Sequence, residues 1–187
     1  MGRAKIVGVS GSPQRPSRTT ALVEAIAGEV ARRHPADVAV LDLVGLGGAL
    51  GAARSARELT GDAAAAVAAI EEADLLVVAS PVYKGSYAGL FKHLFDLVDP
   101  NALAGRPVVV GATGGSERHS LVIDHALKPL FGFFGALVAP TGVYAVESDF
   151  TDGRPGNPAV LQRVADAGRQ GALLLHALRD AAQRAAA

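Results

Sequence analysis

The run Leu75–Ala79, LLVVA, limits the architecture more than any other stretch of the chain. An unbroken apolar run, with acidic residues just before it and Pro81 just after, describes a strand buried on both faces. Such a strand requires helices above and below it. The segment Ser80–Ser86, SPVYKGS, leaves that strand at its carboxyl end. In open parallel sheets ligands sit at that edge, so this segment is the first candidate site. Beyond it, Leu90, Phe91, Leu94, Phe95, Leu97 and Val98 recur at helical spacing in two adjoining stripes. Two stripes are more than one core-facing side needs, and the surplus predicts a subunit interface.

A length of 187 residues with 19% charged side chains fits a single globular domain, expected to span 1–187. Formal net charge is zero and the basic residues are scattered, which leaves no electrostatic footprint for nucleic acid or an anionic membrane. The chain has no cysteine, which excludes disulfides, thiolate catalysis and Cys-ligated metal sites. Redox chemistry therefore requires a bound organic cofactor, and no metal is expected. The opening MGRAKIVGVS has too short an apolar run for a signal peptide, and Ile6 occupies the place where a myristoylation signal has Ser or Thr. No stretch approaches membrane-spanning length. The expectation is a cytoplasmic protein.

Ile6–Val9 reads as the first strand, and Leu22, Val23, Ile26 and Val30 set a helical period after it. Between them lies Gly11–Thr20, GSPQRPSRTT, a loop rich in hydroxyl and guanidinium groups at a helix N-terminus. There the unpaired N–H groups and the helix dipole favour an anion such as a phosphate monoester. The loop follows neither the GxGxxG nor the Walker pattern. The plainer alternative is a capped loop in which Ser17 or Thr19 is the N-cap. Val38–Leu41 is a second strand, Gly45–Ala53 carries no firm structural signal, and Ala63, Ala66, Val67 and Ile70 mark a helix leading to the central strand.

Pro107–Ala112 supplies the next buried strand and ends in Thr113-Gly114-Gly115-Ser116-Glu117-Arg118-His119. Paired glycines at a strand end permit close backbone approach to a planar ligand, with Ser116 or His119 as a donor; an ordinary tight turn is the alternative. Ser120–Phe134 reads as a nearly apolar helix with an Asp124–Lys128 i,i+4 pair. Pro129 inside it denies His125 its hydrogen bond, which predicts a kink or π-type bulge near His125. Leu137–Ala139 and Val143–Val146 form the last strand, bent at Pro140-Thr141-Gly142. Glu147–Gly156 is a polar loop, and Asn157-Pro158 opens the final helix. That helix carries Leu161, Val164, Gly168, Gly171, Leu175 and Leu178 on one stripe, its glycines permitting close packing, and its tail is expected to fray from Gln183.

Strands alternating with helices, without repeats or linkers, give an α/β doubly wound five-stranded parallel sheet of order 2-1-3-4-5, with the switch point between the first and third strands. There the Ser12–Thr20 loop meets the Pro81–Ser86 loop. An anion cradle beside a loop bearing Tyr83 suits a monophosphate attached to a flat ring, which describes FMN.

The segments GSPQRPSRTT, SPVYKGSYAGLFKHLFDLVDP, ATGGSERHSLVIDHALKPLFGFFGA and PTGVYA closely resemble the NAD(P)H-dependent FMN reductases of two-component alkanesulfonate and methanesulfonate monooxygenase systems. The resemblance implies a flavodoxin-like homo-oligomer, a dimer or tetramer, that reduces FMN with NADH or NADPH. It implies further that free reduced FMN passes to an FMNH2-dependent monooxygenase. By the same resemblance Ser12, Ser17, Arg18, Thr19 and Thr20 hold the FMN phosphate. Pro81, Val82, Tyr83, Lys84, Gly85 and Ser86 line the isoalloxazine, and Thr113, Gly114, Gly115 and Ser116 flank its other edge. The family's interface π-helix corresponds to the helix around His125, where the alkanesulfonate enzymes have tyrosine. Gln14 stands where they have arginine, with Arg15 adjacent as a substitute.

Hydride transfer between stacked rings needs no protein acid or base, so no catalytic side chain is assigned. Backbone N–H groups of the Tyr83–Ser86 and Gly114–Ser116 loops are the expected stabilisers of the reduced flavin. Rival readings are a quinone or azo reductase with tightly bound FMN, and a flavodoxin-like electron carrier. Zero net charge argues against the carrier, because those proteins are strongly acidic. A regulatory or interaction module built on the Leu90–Val98 stripe is a further alternative.

Overall fold

The computed structural model describes residues 2–185. The chain runs β1 (Ala4–Ser10), α1 (Arg18–Ala31), β2 (Ala36–Asp42), α2 (Leu43–Ala52), α3 (Gly61–Glu71), β3 (Leu75–Tyr83), β4 (Ser86–Tyr87), α4 (Gly89–Asp96) and β5 (Pro107–Gly114). A π-helical turn over Ile123–Leu127 then leads into α5 (Lys128–Phe133), followed by β6 (Leu137–Val138), β7 (Val143–Val146), β8 (Phe150–Thr151), β9 (Arg154–Pro155) and α6 (Pro158–Ala185). The main sheet has the order β2-β1-β3-β5, and β6 and β7 both pair with β5. These pairings are parallel. The expected order 2-1-3-4-5 is therefore present, with the fifth strand in two pieces separated at Pro140-Thr141-Gly142.

Side chains alternate across the strands, so each strand feeds two cores. Val7, Val9, Leu76, Val78, Val108 and Val110 pack on one face with residues of α2, α3, α4 and the π-helical segment. Ile6, Leu75, Val77 and Val109 pack on the other with α1 and α6. The central run LLVVA is wholly buried, as its composition requires. The strand continues beyond it to Tyr83 and folds back on itself, Val82 pairing with Tyr87 and Tyr83 with Ser86. Lys84 and Gly85 make the turn with φ of 52° and 86°, the two positive values of a type I′ hairpin.

Three sequence expectations change. Gly45–Ala53 lies mostly within α2, because Asp42 caps its first N–H groups and Leu43, Leu46 and Leu50 bury one face. Of the Leu90–Val98 stripe only Leu90 is left half-buried. Phe91, Leu94, Phe95, Leu97 and Val98 are all buried within the chain, wedged between the sheet and α5. Ring centroids lie 4.9 Å apart for both Phe91–Phe95 and Phe95–Phe131. Exposed apolar residues lie elsewhere, among them Leu121 at 59%, Phe133 at 74% and Leu173 at 57%. On α6, Leu161 lies off the buried stripe, which is formed instead by Val160, Val164, Ala167, Gly168, Gly171, Ala172 and Leu175. The helix extends through Gln183 to Ala185; the remainder of the tail expected to fray lies outside the described residues.

The bulge predicted from Pro129 is present. The Lys128 N–H reaches back five residues to the Ile123 carbonyl, and Pro129 sits in the first turn of α5, where its missing N–H costs least. His125 is exposed within the π turn, and Lys128 bonds Asp124 at 2.7 Å.

The tightest helix contact is between α6 and α1. A Cβ at Gly168 would lie 2.3 Å from Glu29 Cβ of α1, and one at Gly171 would lie 2.8 Å from Val109 Cγ2 of β5, on which the helix also packs. Gly168→Ala is therefore expected to destabilise the protein by about 1–3 kcal/mol in urea denaturation, since the backbone of α1 must move to admit the methyl group. Gly48→Ala, on α2 with nothing within 4 Å of its Cβ, is expected to stabilise by roughly 0.5–1 kcal/mol.

Candidate functional site

A cleft of about 610 Å³ opens at the carboxyl ends of the strands. Its walls come from loops far apart in sequence: Ser12, Gln14, Pro16, Ser17, Arg18 and Thr19 after β1; Pro81, Val82 and Tyr83 at the end of β3; Thr113, Gly114 and Gly115 at the end of β5; and Val146 at the end of β7 with Glu147, Phe150 and Gly153 beyond it. The parallel register makes this convergence possible. Ser10 is level with Ala79, Ser80 with Ala112, and Pro81 with Thr113, so the loops leave the sheet side by side.

Beneath the cleft the buried polar residues are Ser10, Ser12, Thr19, Ser80 and Thr113. Each is hydrogen-bonded, as burial demands. Thr19 and Thr113 hydroxyls meet at 2.7 Å, joining α1 to β5. Thr20 donates to Ser10 at 2.8 Å, and Ser80 Oγ accepts the Ala88 N–H at 2.9 Å. Ser17 is the N-cap of α1, its hydroxyl accepting from the Thr20 N–H. The plain capping role is thus real, and it coexists with a position on the cleft wall. The N-terminus of α1, with Arg18 and Thr19 on the cleft wall, suits an anion.

Of the sequence-predicted residues, Ser12, Ser17, Arg18, Thr19, Pro81, Val82, Tyr83, Thr113, Gly114 and Gly115 line this cleft. Thr20 does not, because its hydroxyl is committed to Ser10. Lys84, Gly85 and Ser86 lie at the hairpin tip beyond the wall, and Ser116 is held just outside it, its carbonyl accepting from Tyr144 Oη at 2.6 Å. Burial, then the neighbouring Glu117 charge, pushes the Tyr144 phenol above its ordinary pKa, so it stays a donor. Arg15 does not take up the role suggested for it beside Gln14. Its guanidinium forks onto Asp42 at 2.6 and 2.8 Å, and this bond, helped by the Gly45 and Val44 N–H groups, holds the Asp42 carboxyl below its ordinary pKa. Gln14 lines the cleft without a second cation.

Val146, Glu147, Phe150 and Gly153 escaped the sequence reading. The strand-end rule that found the other three loops applies equally to β7, and Asp152-Gly153 is a strong two-residue hairpin signal. The Glu147 turn is anchored by Asp149. Its carboxylate accepts the Val146 N–H at 2.8 Å and the Asn157 amide at 2.7 Å, and its carbonyl accepts the Gly156 N–H at 2.8 Å. Arg18 pairs with Glu147 across the cleft.

The arrangement brings hydroxyls, the N-terminus of α1 and one guanidinium together with Tyr83 and the glycine pair Gly114-Gly115 on the walls of one cleft. These residues fit a phosphate carried on a planar ring system.

Comparison with known proteins gives a consistent picture. The model of the NADPH-dependent FMN reductase family matches residues 4–151. The NADH-dependent FMN reductase SfnF of Pseudomonas fluorescens (strain Pf0-1) is 53% identical over 148 residues, 79% of each chain. An FMN reductase (NADPH) of Pseudomonas aeruginosa is 51% identical over 150 residues, 80% of this chain and 81% of that one. Among solved structures, the apo form of the NADH:FMN oxidoreductase EmoB superposes with a TM-score of 0.78 at 31% identity, covering 91% of this chain and 89% of that one.

Gly114 is where the site tolerates no side chain, since a Cβ there would lie 2.0 Å from Tyr144 Oη. Gly114→Ala is expected to cost about 1–3 kcal/mol in urea denaturation by driving Tyr144 off the Ser116 carbonyl. Adding Tyr144→Phe should restore part of that loss. If the double variant is less stable than the single one by the full cost of a lost hydrogen bond, this packing account is wrong.

Proposed function

Because the chain belongs to the NADPH-dependent FMN reductase family, whose members use FMN and a nicotinamide, we propose that it treats FMN as a diffusible substrate. On this reading the reduced flavin leaves for a partner monooxygenase of the sulfonate-oxidising type. The observation that carries the reading is the cleft itself. It is open, and among the described residues lining it the one cation, Arg18, is already met by the one anion, Glu147. A site that must release its flavin after each turnover needs modest phosphate affinity of this kind. The resemblance of four separate segments to reductases of sulfonate monooxygenase systems supports the nature of the partner.

In this reading Ser12, Ser17, Arg18 and Thr19 bind the phosphate, with Thr20 positioning α1 through Ser10. Pro81, Val82 and Tyr83 line the ring on one side, carried by the Lys84-Gly85-Ser86 turn. Thr113, Gly114 and Gly115 flank the other side, with Ser116 held back by Tyr144. FMN supplies the hydride-accepting ring; the protein supplies placement and backbone N–H groups. No side chain acts as acid or base.

We further propose that the protein is a cytoplasmic dimer or tetramer built as one flavodoxin-like domain. No described helix is long and apolar enough to cross a membrane. Exposure of Leu121 and Phe133 on the segment around the π turn supports assembly there rather than through α4.

Initial rates of NADH and NADPH oxidation are expected to rise saturably with added FMN from a near-zero value in its absence. Rates independent of added FMN would assign it instead as a fixed prosthetic group. In sedimentation, Phe133→Asp should shift the native species to a smaller one; an unchanged mass would place the interface elsewhere.

A further inference from the structure

We propose that Glu147 is a built-in competitor of the flavin phosphate, holding Arg18 until the phosphate exchanges for its carboxylate and thereby setting FMN affinity low enough for release. This rests on the reading that the loop after β1 takes the FMN phosphate.

Arg18 opens α1 and Glu147 begins the turn after β7, 129 residues later, yet their side chains form an ion pair at the cleft. The pair joins the sole cation and the sole anion among the described lining residues. With Glu147 the cradle is formally neutral; without it the cradle carries one positive charge. No second guanidinium substitutes, because Arg15 is spent on Asp42. The pair is not required to build the site. The turn that carries Glu147 is fixed by Asp149 through the Val146 N–H, the Asn157 amide and the Gly156 N–H. Arg18 is fixed by the Ser17-capped helix.

Both partners are accessible, 47% for the Arg18 side chain and 72% for that of Glu147. An ion pair at such exposure is weak and exchangeable, a factor of about five or less in equilibrium terms. A phosphate monoester carries nearly two charges and presents several acceptor oxygens to the same guanidinium, so it outcompetes a single carboxylate. Once it is bound, the displaced Glu147 faces a like charge, which lowers affinity further. The exchange involves no covalent step. Its functional meaning is an off-rate built into the chain, suited to a flavin that is delivered rather than kept.

The test is flavin binding to purified, flavin-stripped protein by fluorescence quenching, comparing FMN with riboflavin, which lacks the phosphate. Glu147→Gln should lower the Kd for FMN roughly three- to tenfold and leave that for riboflavin unchanged, and the gain should shrink at high salt. In an Arg18→Gln background the same substitution should give a clearly smaller gain, because only the like-charge repulsion between Glu147 and the phosphate is left to relieve. Unchanged or weaker FMN binding in Glu147→Gln, or equal tightening of FMN and riboflavin, overturns the inference. A native protein that prefers FMN to riboflavin yet ignores Glu147→Gln sinks only this inference. One that binds FMN no better than riboflavin, with no competition from inorganic phosphate, sinks the phosphate assignment as well.

Discussion

Everything at the cleft depends on the parallel registration of β1, β3 and β5. Ile6 lies beside Leu75 and Leu76 beside Val108, and the ladder holds level until Ser10, Ser80 and Thr113 emerge at one edge. The registration is stable because both faces of these strands are covered by apolar side chains, and a slip of one residue would send each of them to the wrong core. Four loops with nothing in common in sequence become neighbours because their strands stop together.

The change from apolar to hydroxyl side chains at that edge is as important as the apolar run below it. Ser10, Ser12, Thr19, Ser80 and Thr113 form a buried polar floor whose members satisfy one another or nearby backbone groups. Such a floor transmits position: Thr19 links the N-terminus of α1 at the cleft to the strand that carries the glycine pair. Small hydroxyls achieve this without filling the space above, where larger polar residues would intrude.

Much of this was legible in the sequence, and the failures are informative. LLVVA could only be a doubly buried strand, and the rule that ligands gather at strand ends located three of the four cleft loops. Pro129 announced the π turn because a missing donor has a defined consequence one turn back. By contrast, α2 was hidden by its glycines, whose poor helix propensity is overridden by the Asp42 cap and by Leu43, Leu46 and Leu50 docking on the sheet. The double stripe of α4 was read as surplus because sequence does not reveal that α5 lies across it, with Phe131 set edge-on against Phe95. Arg15 and Arg18 look interchangeable in the chain; only the position of Asp42 sends one outward and leaves the other at the cleft.

The lips of the cleft are two minimal hairpins, Lys84-Gly85 between β3 and β4 and Asp152-Gly153 between β8 and β9, each with positive φ at both turn residues. Turns this short have no slack with which to swing over a bound molecule. They are also the places where a backbone accepts extra residues without disturbing the sheet beneath. A descendant of this scaffold could turn an open berth into a sealed chamber by lengthening either tip, changing how long its guest stays while leaving every strand where it is.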